Sequence, residues 1–235
     1  QIGSFSDDEF LPSQNTLSTY LPKSLKTSEP FSDISMIGLR DNDHLRGEIY
    51  RTLPNFSSII SLANCETIKA SLEKLSGLSK ESFCCVNLNI RLDFSEDRLK
   101  NEHNLGLHQD FHYSNIFVTP VKSYVLWAPL KKLSESVGGL EFVKDLSSID
   151  GALPHQELKR GNNLNSRWSL NSPKYNDQLE ELSLNEGEFL LFDMRHLHAS
   201  SANKDPIFPR ITLQARYSSF EEKGFLNYFK KLPVA

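Results

Sequence analysis

The chain has 235 residues, 38% hydrophobic and 24% charged, enough for one sizeable core and short for two. Its 26 Lys and Arg stand against 30 Asp and Glu, so the basic excess that a nucleic-acid backbone demands is missing. No apolar run approaches membrane-spanning length and no charged-then-apolar leader opens the chain, so a soluble, cytoplasmic protein without membrane insertion is the expectation. The start at Gln1 rather than Met leaves a trimmed or mature form open.

Residues 1–45 are rich in Ser, Asp, Pro and Thr and read as an irregular arm. A helical layer is expected over 46–80, where Ile59, Ile60, Leu62, Ala63, Ile68, Leu72, Leu75 and Leu78 recur at threes and fours. A break at Asn64–Thr67 divides it into two short helices. The period then switches to two: Val86, Leu88, Ile90 and Leu92 alternate with Asn87, Asn89, Arg91 and Asp93, a strand with one apolar and one polar face. Short-strand texture continues through "NIFVTPVKSYVLWAPL", "GGLEFVKDL", "EGEFLLFDMRHLHASS" and "PRITLQARYSSF". A polar stretch with Gly151, Pro154, Gly161 and Pro173 interrupts it and reads as a long loop, 145–184, over one mouth of the sheet. The sum is one mainly β domain with flanking helices, a barrel or sandwich over 83–220. Cys65, Cys84 and Cys85 form neither a CxxC pair nor an even framework and are read as packing residues of a reducing compartment.

The chemistry concentrates in "LHQDFHYSN". In extended backbone His108 and Asp110 point to one face and Gln109 to the other, so an imidazole and a carboxylate converge. A distant third ligand would complete a two-His, one-carboxylate face on a metal, with open positions suited to non-haem Fe(II). His196 and His198 share one strand parity, and spacing alone allows either. On the last strand Arg210, Thr212, Gln214 and Arg216 share a face, and an arginine turned inward there would grip the carboxylate of a small anionic co-substrate through two parallel hydrogen bonds. A solvated edge strand is the competing account of that row.

These residues resemble, from about Asn87 to Phe220, the phytanoyl-CoA dioxygenase-like family of Fe(II)/2-oxoglutarate-dependent oxygenases. "NIRLDF", "LHQD", "SYVLWAPL", "SVGGLEFVKDLSSIDG" and "HASSANKDPIFPRITLQARY" follow the family's order. The family's Pro-Gly-Ser-His after the Gly-Gly-Leu hairpin is replaced by Lys144-Asp145-Leu146-Ser147. The resemblance implies a double-stranded β-helix (a cupin-like jelly roll), Fe(II) held by His108, Asp110 and His198, and 2-oxoglutarate and O2 as co-substrates. It selects His198 through Ser200 and leaves His196 a packed or supporting residue. Arg210 would then pair with the distal carboxylate of 2-oxoglutarate, with Ser200 and Trp127 lining the site and Arg216 farther from the iron end. The implied reaction is hydroxylation of a small-molecule substrate with release of succinate and CO2, since halogenating relatives carry a small residue at the position of Asp110.

Asn89 and Arg91, on the polar face of the preceding strand, and His112 and Tyr113, after the metal motif, are candidate substrate-side groups. The loop at 145–184 mixes both charge signs and names no substrate. Two alternatives are a cupin-like metal-binding protein without 2-oxoglutarate and a non-catalytic binding module; the inward arginine argues against the first and the intact triad against the second. Oligomeric state leaves no mark in the sequence.

Overall fold

The computed structural model describes residues 1–25, 38–95, 106–110, 122–133, 136–144, 153–158, 167–170 and 172–221. Its first elements lie in the segment read as an irregular arm: β1 (Ile2–Ser4) and a 19-residue helix α1 (Asp7–Leu25). The correction has a local cause. Ser6 and Glu9 form part of a capping box, the Glu9 carboxylate accepting from the Ser6 backbone N–H at 3.0 Å, and Asp7, Asp8 and Glu9 place negative charge on the first turn. The buried face of the helix is Phe10, Ser13, Gln14 and Leu17, so two polar residues interrupt the apolar period. Both are bonded: Ser13 Oγ donates to Ser58 O at 3.0 Å and Gln14 Nε2 donates to Leu130 O.

The helical layer follows as α2 (Asp43–Thr52), α3 (Ser57–Ala63) and α4 (Glu66–Ser76), three helices where two were expected. Pro54, in a single 3-10 turn at Leu53–Asn55, makes the additional division, because its ring cannot continue the helix. Asn42 caps α2 by accepting from Leu45 N at 3.0 Å, and Gly77 ends α4 at φ 71°.

The strands are β2 (Phe83–Asp93), β3 (Ser123–Pro129), β4 (Leu140–Val143), β5 (Gln156–Leu158), β6 (Arg167–Ser169), β7 (Leu179–Leu182), β8 (Glu188–Asp193), β9 (His198–Ser200) and β10 (Arg210–Ser219), with a short helix α5 (Pro173–Asn176) before β7. A five-stranded antiparallel sheet runs β1-β8-β3-β10-β2, and a three-stranded sheet runs β7-β4-β9. The stretch read as one long loop therefore supplies a sheet strand, β7, and the hairpin β5-β6. Its alternation is weak because Glu180 and Glu181 are both exposed between half-buried leucines.

The two faces of the large sheet have opposite character. Outward, Ile90, Leu92, Leu126, Leu191, Ile211, Leu213 and Ala215 pack against Leu17, Ile49, Leu53, Ile59, Leu62 and Ile68 from the helices. This is the main core, and the Tyr217 hydroxyl reaches through it to Ala63 O. Inward, Val125, Trp127, Leu190 and Phe192 meet Leu140 and Phe142 of the smaller sheet, and the polar residues of β2 and β10 share that interior. Leu213 is fully buried in the main core, so Leu213→Ala is expected to cost about 2–5 kcal/mol in urea denaturation, the usual loss for a truncated core leucine. Among the described residues no helix is long and apolar enough to cross a membrane.

Candidate metal centre

His108 and His198 are brought together by backbone. His108 N donates to His198 O at 2.9 Å and His198 N to His108 O at 3.0 Å, an antiparallel bridge that places the two rings 4.2 Å apart. Asp110 completes the group: its Oδ1 lies 3.5 Å from His108 Nε2 and 3.9 Å from His198 Nε2. One ligand atom from each of the three residues falls within 4.8 Å of the others, and all three side chains are buried. Gln109 points the other way, as strand parity requires, with Nε2 donating to Arg195 O at 2.6 Å and Oε1 accepting from Leu153 N at 2.8 Å.

The tautomers suit a metal. His108 Nδ1 donates to Gly106 O at 2.7 Å and His198 Nδ1 to His196 O at 2.9 Å. A carbonyl can only accept, so each proton sits on Nδ1 and each Nε2 lone pair faces the cluster. Burial, with His108 alongside, drives His198 down to about 3, so it is neutral near pH 7. Burial raises the Asp110 carboxyl, but Arg216 first and then the two histidines outweigh it and hold it far below the usual carboxylate range. The neutral His198 imidazole and the Asp110 carboxylate are therefore ready to bind a divalent ion without losing protons, with His108 beside them. Arg216 Nη2 holds Asp110 Oδ2 at 2.9 Å and leaves Oδ1 toward the histidines.

A cavity of about 20 Å³ opens at the triad, lined by Arg91, Trp127, Ser200, Gln214, Arg216 and Phe192 together with His108, Asp110 and His198. Arg91, Trp127 and Ser200 are thus gathered here. Asn89 is not: it is half-buried and donates to Asn87. His112 and Tyr113 lie outside the described residues. His196 packs on Phe142 and Phe192 and bonds Val143 O at 3.3 Å, supporting the centre through its own carbonyl.

Arg210 is 1% exposed and donates to Gly139 O and Ser201 O at 2.9 Å and to Asp93 Oδ2 at 3.3 Å, away from the cavity lining. Arg216, ranked farther from the iron end in the sequence reading, is the β10 arginine at the triad. The register explains the reversal. Arg216 stands opposite Val125 and Asn87 beside the triad, whereas Arg210 stands opposite Asp93 at the far end of β2. Same-face spacing on β10 already marked Arg216 and Gln214 as companions of Arg210; Asp93, also missed, sits on the same face of β2 as Arg91. Three atoms beside Arg210 fit a further polar ligand: Arg210 Nε, Thr212 Oγ1 and Ser201 Oγ are buried without a hydrogen-bond partner.

If His198 rather than His196 is the third ligand, His198→Ala removes Mn(II) binding in equilibrium dialysis and His196→Ala retains it. The reverse result would exchange their roles.

No protein-family model matches the chain, and no curated protein sequence matches it. Solved structures do. The apo form of ThoJ, a non-heme monooxygenase, aligns over 92% of this chain and 71% of its own at TM-score 0.60 and 16% identity. EctD from S. alaskensis aligns over 96% and 75% at 0.55 and 14%. SnoN, an epimerase solved with Fe3+, alpha ketoglutarate and nogalamycin RO, aligns over 77% and 67% at 0.53 and 18%. At these identities the likeness is one of fold: two antiparallel sheets with helices, shared with non-heme enzymes.

Proposed function

We propose that the protein is an Fe(II)- and 2-oxoglutarate-dependent oxygenase that hydroxylates a small organic substrate. The observation that carries this reading is the buried His108, Asp110 and His198 group, with both Nδ1 atoms tied to carbonyls and both Nε2 lone pairs turned inward. The fold shared with SnoN, whose structure holds iron and alpha ketoglutarate, supports it. Bound iron with 2-oxoglutarate would supply the oxidising power, with succinate and CO2 as by-products.

The chain's own residues place and shield. His108, Asp110 and His198 hold the ion, and Trp127 and Phe192 wall the cavity with apolar surface that limits water. Arg210 with Thr212 takes the distal carboxylate of 2-oxoglutarate, since their unpartnered Nε–H and Oγ1–H would each gain an acceptor, and Ser200 lines the path between. The 20 Å³ cavity holds about one water, so the co-substrate enters only with side-chain movement around it. Fold does not choose the reaction, because an epimerase and a monooxygenase share it. Hydroxylation rests on Asp110, which occupies the coordination position that halogenation would need open.

Anaerobic addition of Fe(II) and 2-oxoglutarate should give the weak visible charge-transfer band of the chelate. Iron binding without the band would leave a metal protein that does not use 2-oxoglutarate.

A further inference from the structure

Among the described residues, cations outnumber carboxylates around the triad. Among the described residues Arg91, Arg210 and Arg216 face two buried carboxylates: Asp93, shared by Arg91 at 2.8 Å and Arg210 at 3.3 Å, and Asp110, held by Arg216 at 2.9 Å. Glu141 and Glu181, the other carboxylates felt by Arg210, are partly or fully exposed and screened by water. Among these described groups the arginines exceed the buried carboxylates by one. A divalent metal raises that excess to three and a dianionic 2-oxoglutarate returns it to one, counted over the same described groups. Uncompensated buried charge is costly, and the usual remedy is a counter-ion.

Arg216 is placed to receive one. It lines the cavity beside Arg91, its Nη1 donates to Asn87 Oδ1 at 2.9 Å and its Nη2 holds Asp110, yet its buried Nε–H has no partner. Each Nη carries a second hydrogen, so the guanidinium can offer another acceptor a fork while keeping both existing bonds. Gln214 and Arg91 add donors on the same wall.

We propose that the organic substrate carries a carboxylate and that Arg216, with Arg91 beside it, binds that group at the triad. This rests on the oxygenase reading above and narrows its substrate to small organic acids. It separates two anion positions along β10: Arg210 and Thr212 at the far end for the co-substrate, Arg216 at the metal end for the substrate.

Calorimetry on Mn(II)-loaded protein tests it, beginning with 2-oxoglutarate and continuing, at saturating 2-oxoglutarate, with acetate, hexanoate and benzoate and their primary amides. At least one acid is expected to bind, with its amide about tenfold weaker or worse, the loss of a charge-assisted hydrogen-bond pair. Arg216→Gln and Arg91→Gln should each weaken that acid by about tenfold and leave 2-oxoglutarate binding within about twofold. Mn(II) affinity is measured first for each variant. Arg91→Gln, whose bonded carboxylate is Asp93, decides the matter if Arg216→Gln loses the metal. Acids that bind no better than their amides, or no acid binding at all, would overturn the proposal. So would an Arg216→Gln variant that loses 2-oxoglutarate but not the acids, which assigns Arg216 to the co-substrate. Failure of 2-oxoglutarate to bind the parent protein would instead defeat the oxygenase reading, and the acid and amide contrast in Mn(II) alone would still decide whether Arg216 receives a carboxylate.

Discussion

Asp110→Asn is expected to weaken Fe(II) or Mn(II) binding by more than about 100-fold, beyond the 10- to 100-fold typical of losing a residue that merely supports a ligand. The substitution is nearly isosteric but removes the only negative charge among the three ligands, and it leaves Arg216 Nη2 without its ion-pair partner. Two imidazoles alone make a poor seat for a hard divalent ion, which favours carboxylate oxygen. Anaerobic equilibrium dialysis with metal analysis reads the loss, and circular dichroism confirms that the sheet is retained. Metal binding within tenfold of the parent would place the carboxylate ligand elsewhere.

Arg210→Met should have the largest effect on stability of any change at the site. Arg210 is 1% exposed and ties three places together: Gly139 before β4, Ser201 after β9 and Asp93 at the end of β2. Those points belong to both sheets, so the guanidinium joins them where main-chain pairing does not. Removing it leaves two carbonyls with a lost donor and takes the Arg210 partner from Asp93, a change in the range of about 3–5 kcal/mol for breaking a buried ion pair from one side. Urea denaturation measures it. Asp93→Leu added to Arg210→Met should recover part of the loss, because an apolar pair can fill the space once the Asp93 carboxylate is gone, while Arg91 loses its 2.8 Å partner but is 21% exposed to water. The same double variant should still fail to bind 2-oxoglutarate, separating the structural part of Arg210 from the proposed ligand part. If Arg210→Met costs less than about 1 kcal/mol, the range of an exposed pair, the residue is not the bolt its contacts describe.

Local chemistry made much of this legible in advance. Strand parity alone put His108 and Asp110 on one face and Gln109 on the other, and the bonds of Gln109 to Arg195 and Leu153 bear that out. Alternation along residues 86–93 likewise marked a two-faced strand. What failed was of two kinds. Helix α1 was hidden because Ser13 and Gln14 occupy its buried face, where a count of apolar positions sees no period; the Ser6-x-x-Glu9 cap was the signal that remained. The order of Arg210 and Arg216 along the site was hidden for a different reason. Parity says which residues share a face, but only the pairing register with β2 and β3 says which end of that face meets the metal.

The opposite characters of the two faces of the large sheet have a consequence for how such a protein can change. Its dry core lies behind the sheet, under the helices, while the residues that line the cavity stand in front of it. Side chains of the inner row that hold no buried carboxylate, Gln214 among them, can therefore be rewritten one at a time while the hydrophobic foundation stays intact. Exchanging Gln214 is expected to alter what is bound more than whether the chain folds, whereas Arg91 and Arg216 also hold the buried carboxylates of Asp93 and Asp110, so new substrate preferences would arise most readily at Gln214.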